Sequence, residues 1–196
     1  MRCALSDVAP RCSAHHANAS RLVAPGTSDL AACLYDEGWQ DVTAVDVSRQ
    51  AIAAATKRYA ETRPGLRFEF GDCRHLTNVS DGSYGAVLDK GTLDACCCGD
   101  GFDYEAQRIA AEVARVLTPG GLWCSVSLMP PSVLLPLLPK HVWQSVECEP
   151  LHGGRLHFYR GLRSRWGART TRWHWHPVEG GWHSRVRVGF GLRAAP

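Results

Sequence analysis

The chain has no apolar run near the roughly 18 to 20 residues that a bilayer crossing needs. Its first twenty residues lack the unbroken apolar core of a secretory signal. A soluble chain that is not secreted is therefore expected, with no membrane partner. A disulfide framework is missing too. Nine cysteines is an odd number, and three of them are consecutive (Cys96, Cys97, Cys98). Adjacent cysteines cannot all face one centre and no second Cys-x-x-Cys pair accompanies them, so no metal site is expected. Thiols in a reducing compartment fit this set, which points to the cytoplasm. A mitochondrial address is the alternative, because Met1–Ser20 has two Arg and one Asp. No internal repeat is visible, and no Gly-x-Gly-x-x-Gly turn follows any strand candidate. What is present suffices for a single globular domain: 196 residues, 45% apolar and 21% charged, exclude disorder, collagen and coiled coil.

Charge is distributed unevenly. Residues 161–196 hold seven Arg and one acid, Glu179, while residues 1–160 carry the remaining 15 basic and 18 acidic side chains. The body is mildly acidic and the tail basic, so three segments are expected: an irregular arm over 1–20, one domain over 21–160 and a basic Trp/Arg/Gly-rich tail over 161–196. In the tail, Trp173 and Trp175, then Val186, Val188, Phe190 and Leu192, alternate around Gly180-Gly181, which reads as a hairpin or else as disorder. Arg163, Arg165 and Arg169 interleaved with Trp166 and Trp173 have the composition that stacks on single-stranded nucleic acid, but a solvated strand with no such partner is favoured. The Trp173-His174-Trp175-His176 run has no Cys or acid partner and is read as structural rather than metal-binding.

From Arg21 onward short β-branched runs alternate with longer helical ones, the rhythm of an α/β doubly wound sheet with helices on both faces. Strands are expected at Arg21–Ala24, Val42–Asp46, Leu66–Phe70, Tyr84–Asp89, Leu122–Leu128, Val142–Cys148 and Arg155–Arg160. Helices are expected at Ser28–Glu37, Ser48–Glu61, Tyr104–Leu117 and Ser132–Leu138. Ser48 is placed to cap the second helix, Pro119-Gly120-Gly121 to separate the third from the next strand, and Ile109, Val113, Val116 and Leu117 to form a core-facing stripe.

The chemistry-bearing positions fall at strand ends. Gly26 closes a tight strand-to-helix turn, and Asp46 ends the next strand twenty residues later, where a carboxylate can hold a ribose diol. Asp72 and Asp89 follow the third and fourth strands. Three carboxylates gathered on one sheet edge repel each other, so a cationic or hydrogen-bond-donating ligand is expected there. The turn does not suit a dinucleotide: Ala24, Gly26 and Asp29 stand where three glycines would, and Asp29 places negative charge where pyrophosphate would sit. S-adenosylmethionine carries an adenosine, an ammonium and a sulfonium but no phosphate, and it suits an acidic edge.

The segments Leu22–Leu30, Leu34–Trp39, Val45–Ser48 and above all Val87-Leu88-Asp89-Lys90-Gly91-Thr92-Leu93-Asp94-Ala95 resemble the seven-strand S-adenosylmethionine-dependent methyltransferases. The nearest branch is the eukaryotic protein lysine methyltransferases acting on elongation factor 1A or citrate synthase. The resemblance spans about Arg21 to Arg160. It implies a Rossmann-like sheet of order 3-2-1-4-5-7-6 with the seventh strand antiparallel, S-adenosyl-L-methionine as cofactor and a protein substrate. Carried over residue by residue, it implies that Ala24, Pro25, Gly26, Thr27 and Ser28 hold the methionine moiety, Asp46 and Val47 the ribose, and Asp72 with Cys73 the adenine. Asp89 would lie by the methyl group, with Lys90 and Thr92 shaping the substrate entrance and Asp94 facing the amine. Where the family turn usually reads Gly-Cys-Gly this chain has Ala24-Pro25-Gly26, which adds a methyl group and removes an N–H. A catalytically inactive binding domain and a small-molecule or RNA methyltransferase are the alternatives; no Asn-Pro-Pro-Tyr motif follows the fourth strand.

Overall fold

The structure is a computed structural model that describes residues 21–24, 29–39, 41–96, 101–165, 175–178 and 181–184. Five strands run parallel: β1 (Arg21–Ala24), β2 (Val42–Asp46), β3 (Leu66–Phe70), β4 (Tyr84–Lys90) and β5 (Leu117–Ser127). β7 (Leu156–Arg163) pairs antiparallel with both β5 and β6 (Trp143–Leu151). Two further strands, β8 (Trp175–Val178) and β9 (Gly181–Ser184), pair antiparallel, and β9 joins the outer edge of β6. The complete order is 3-2-1-4-5-7-6-9-8, so the sheet has nine strands where seven are expected from the sequence.

Helices cover both faces because the central strands are apolar on both. Along β4, Val87 faces one core while Ala86 and Leu88 face the other; along β5, Trp123 and Cys124 divide in the same way. The first core is closed by α4 (Phe102–Val116) and α5 (Pro131–Leu137), with Ile109, Val113, Val116 and Leu117 all buried as their spacing predicts. The second is closed by α1 (Leu30–Asp36), through Leu30, Ala31, Ala32 and Leu34. α2 (Arg49–Tyr59) starts at Ser48, whose hydroxyl accepts the Ala51 N–H at 3.2 Å. Trp123 and Trp143 stack with centroids 5.3 Å apart over Gly161 of β7, where an added Cβ would lie 3.1 and 3.2 Å from the two indoles.

Beyond the added strands and shifts of a few residues at element ends, the structure departs from the sequence reading in the following ways. A five-residue helix, α3 (Thr92–Cys96), follows β4 directly and is too short to have announced itself by periodicity. Pro119-Gly120-Gly121 lies within β5 and does not precede it: β4 pairs Tyr84 with Leu117 and then Ala86 with Leu122, so the extra residues form a bulge. Gly121 is required there, since a Cβ would stand 2.8 Å from the Thr118 carbonyl oxygen and 3.1 Å from that of Gly85. The helix expected from Ser28 begins at Leu30, with Asp29 as its N-cap residue.

Candidate functional site

A cavity of about 210 Å³ opens at the carboxyl ends of the parallel strands. Its walls are Ala24 from β1, Val45, Asp46 and Val47 from the end of β2, Gly71–Arg74 after β3, and Lys90, Gly91, Thr92 and Ala95 from the end of β4 and α3. Such crevices are where open α/β sheets bind ligands. The volume falls below the roughly 300–1,000 Å³ of most small-molecule pockets. The 25–28 turn that follows β1 lies outside the described residues.

Each wall has its own chemistry. Asp46 accepts the Ser48 backbone N–H at 2.7 Å on one carboxylate oxygen. Among the described residues no donor reaches the other oxygen, which therefore suits a pair of vicinal hydroxyls. Val47 beside it is 63% exposed and gives the cavity an apolar shoulder. The Thr92 hydroxyl donates to the Ala24 carbonyl at 3.3 Å, and this ties the end of β1 to the start of α3. Gly91, at φ +72°, makes the left-handed turn between β4 and α3 that few other residues adopt. Asp72 is held by Arg74, whose guanidinium keeps its carboxyl below the usual carboxylate range.

Asp89 stands apart. It is buried, takes hydrogen bonds from Trp123 Nε1 (2.8 Å) and Ser125 Oγ (3.0 Å), and is pushed up to about 7 by burial, with a smaller push from Asp94. Asp94 is turned toward the end of β5, where Ser127 Oγ donates to it at 2.6 Å and the Leu128 N–H reaches both its oxygens at 3.1 Å.

The structure thus brings Ala24, Asp46, Val47, Asp72, Cys73, Lys90 and Thr92 together on one cavity and leaves Asp89 and Asp94 out of its lining. Pro25, Gly26, Thr27 and Ser28, the 1–20 arm and most of the tail fall outside the described residues. The expected convergence of three carboxylates is corrected: Asp46 and Asp72 share the cavity, Arg74 neutralises Asp72, and Asp89 is enclosed by indole and hydroxyl donors within the sheet. Val45, Gly71, Arg74 and Ala95 were missed. Arg74 alone carried a signal, an Asp followed two residues later by a cation that can fold back on it. Among the described residues there is no cluster of three or more His, Cys, Asp or Glu able to hold a metal, and no helix is long and apolar enough to cross a membrane.

A family model described as a methyltransferase domain matches residues 22–121. The chain is 39% identical over 115 residues to the eEF1A lysine and N-terminal methyltransferase of Xenopus laevis, which covers 58% of this chain and 16% of that protein. It is 37% identical over 110 residues to the EEF1A lysine methyltransferase 4 of Mus musculus, covering 52% of this chain and 42% of that one. The match therefore spans less than half of the length of these relatives, 16% of the first and 42% of the second. In fold it is similar to a SAM-dependent methyltransferase from Methanosarcina mazei, with a TM-score of 0.57 at 18% identity over 74% of this chain and 92% of that one.

Proposed function

We propose that this chain, which belongs to the methyltransferase domain family, moves a methyl group from S-adenosylmethionine to a protein amine, a lysine side chain or an N-terminus. The observation that carries the reading is the cavity at the strand ends with, at the end of β2, an Asp46 oxygen that no donor among the described residues reaches. The order of the first seven strands supports reading the domain as the seven-strand class, and the similarity to proteins named for eEF1A supports an elongation factor-like substrate. We place its action in the cytoplasm and give the basic tail no nucleic-acid role.

In this reading Asp46 holds the ribose hydroxyls, Val47 and the Gly71–Cys73 wall flank the adenosine, and the 24–28 turn receives the methionine end. The donor, when bound, supplies an electrophilic methyl group on a sulfonium. The protein then has to align a neutral amine with that methyl group and keep water out, which is positioning rather than proton transfer. Lys90 and Thr92 form the cavity wall on the acceptor side. The Lys90 ammonium disfavours a second cation beside it, so an incoming amine is pushed toward its neutral, nucleophilic form. Asp94, fixed on Ser127 and Leu128, holds the end of β5 against α3 and so shapes this entrance.

Calorimetric titration of the folded chain with S-adenosylhomocysteine tests the reading. Measurable binding is expected, and Asp46→Ala should weaken it by about tenfold or more, because a charge-assisted pair of hydrogen bonds is lost. Absence of heat from a well-folded sample overturns the reading in favour of a silent domain, for which the Ala24-Pro25 turn is the supporting feature. A radiolabelled cofactor incubated with cell lysate then tests the protein substrate by the band it labels.

A further inference from the structure

Arg74 is strung between two carboxylates. Its Nε donates to both oxygens of Asp72 at 2.9 and 3.0 Å, its Nη2 donates to Asp72 Oδ2 at 2.6 Å, and its own backbone N–H adds a bond to Oδ1 at 2.9 Å. On the other side Nη1 reaches Glu105 Oε2, in the first turn of α4, at 3.4 Å. Asp72 and Arg74 both line the cavity, whereas Glu105 does not. The Asp72 carboxylate therefore meets an incoming ligand with both of its oxygens already engaged, and a second acceptor stands ready just outside the wall.

We infer that Arg74 is a latch on this end of the cavity: a nucleoside base takes the Asp72 carboxylate only when the guanidinium releases it and shifts onto Glu105. The inference rests on the cavity being the methyl-donor site, since a purine base is the competitor it invokes. Physical magnitudes favour a latch over a permanent lock. The Arg74 and Asp72 side chains are 38% and 34% exposed, so the pair is solvent-screened and cheap to open. Glu105 offsets part of that cost by offering the departing guanidinium a charged partner. A ligand whose base donates a hydrogen bond can exchange with the fork, while one that only accepts leaves it closed. The pair thus sets selectivity as well as affinity.

The test is a calorimetric comparison of the full-length chain with its Arg74→Ala and Glu105→Gln variants, using adenosine and S-adenosylhomocysteine as probes. Arg74→Ala should tighten both by about two- to five-fold, the range an exposed ion pair can withhold. Adenosine is uncharged, so its gain cannot come from removal of a repelling cation. Glu105→Gln should weaken both, because the displaced guanidinium loses its second carboxylate. Opposite signs from two neighbouring substitutions are not what a merely loosened loop would give. Equal or weaker binding by Arg74→Ala, with wild-type binding intact, overturns the latch and leaves the donor site standing. If neither the wild-type chain nor Arg74→Ala binds either probe, the donor reading falls and the latch falls with it.

Discussion

Burial has changed the chemistry of Asp89. The motif that makes it conspicuous in the sequence sets it at the end of β4, but the register pairing Asp89 with Ser125 puts Trp123 Nε1 and Ser125 Oγ on its two oxygens and closes it off from the cavity. Burial raises its carboxyl to about 7, above its ordinary value of 3.8. The folded chain therefore binds a proton there that the unfolded chain has already released across that interval. The stability this proton contributes is complete below about pH 4 and is lost as pH rises through about 7. Thermal melts should show the wild-type chain losing stability from pH 5 to pH 8 by at most about 1.4 kcal/mol per pH unit relative to Asp89→Asn, whose side chain stays neutral. Parallel pH profiles for the two chains would refute this. Asp46, Asp72 and Asp89 were all legible as strand-end acids. Which of them meets the cavity was not, because Trp123 lies far along the chain from Asp89 and Arg74 neutralises Asp72 by folding back on it.

Helix α4 does more than cover the sheet. Its buried Glu112 accepts the Leu76 N–H at 2.6 Å and is bridged by Arg115, which also donates to the carbonyls of Leu76 (3.0 Å) and Val79 (2.7 Å) and to Asp81 (2.7 Å). Those bonds fasten the irregular 72–82 segment, whose first residues are a cavity wall. Arg115→Ala leaves Glu112 as a buried charge without its cation and should cost about 2–3 kcal/mol in urea unfolding. Because the wall is fastened by this bridge, the variant should also bind S-adenosylhomocysteine less tightly at temperatures where it remains folded. Element by element, the edges of β1, β2 and β3 were legible to the residue, since each is a short run rich in apolar residues between turn residues. The start of β5 was not, because Pro119-Gly120-Gly121 has the composition of a loop and only pairing with β4 turns it into a bulge. α3 escaped for a different reason: a single helical turn and a half has no period to detect.

At the scale of the whole molecule the sheet joins two halves of different character, a parallel part that carries the cavity and an antiparallel part built on β6 and β7. The rhythm of strands and helices made the parallel half and its two covering layers readable from the sequence. The joining of the tail to β6 was not readable, because pairing between distant strands leaves no local pattern. β9 meets β6 at Glu147 and Cys148, so it occupies backbone groups that an open edge would offer to another chain. A chain ending at Arg165 should therefore show a larger hydrodynamic size in light scattering than the full chain, and equal sizes would argue that β9 does not guard that edge. The indole pair over Gly161 has an optical consequence. Trp123 belongs to the parallel half and Trp143 to the antiparallel half, and rings held this close couple their electronic transitions. Far-ultraviolet circular dichroism should carry an exciton couplet that vanishes when the halves separate and shifts when the proton on Asp89 leaves, an intrinsic gauge of both events without an added dye.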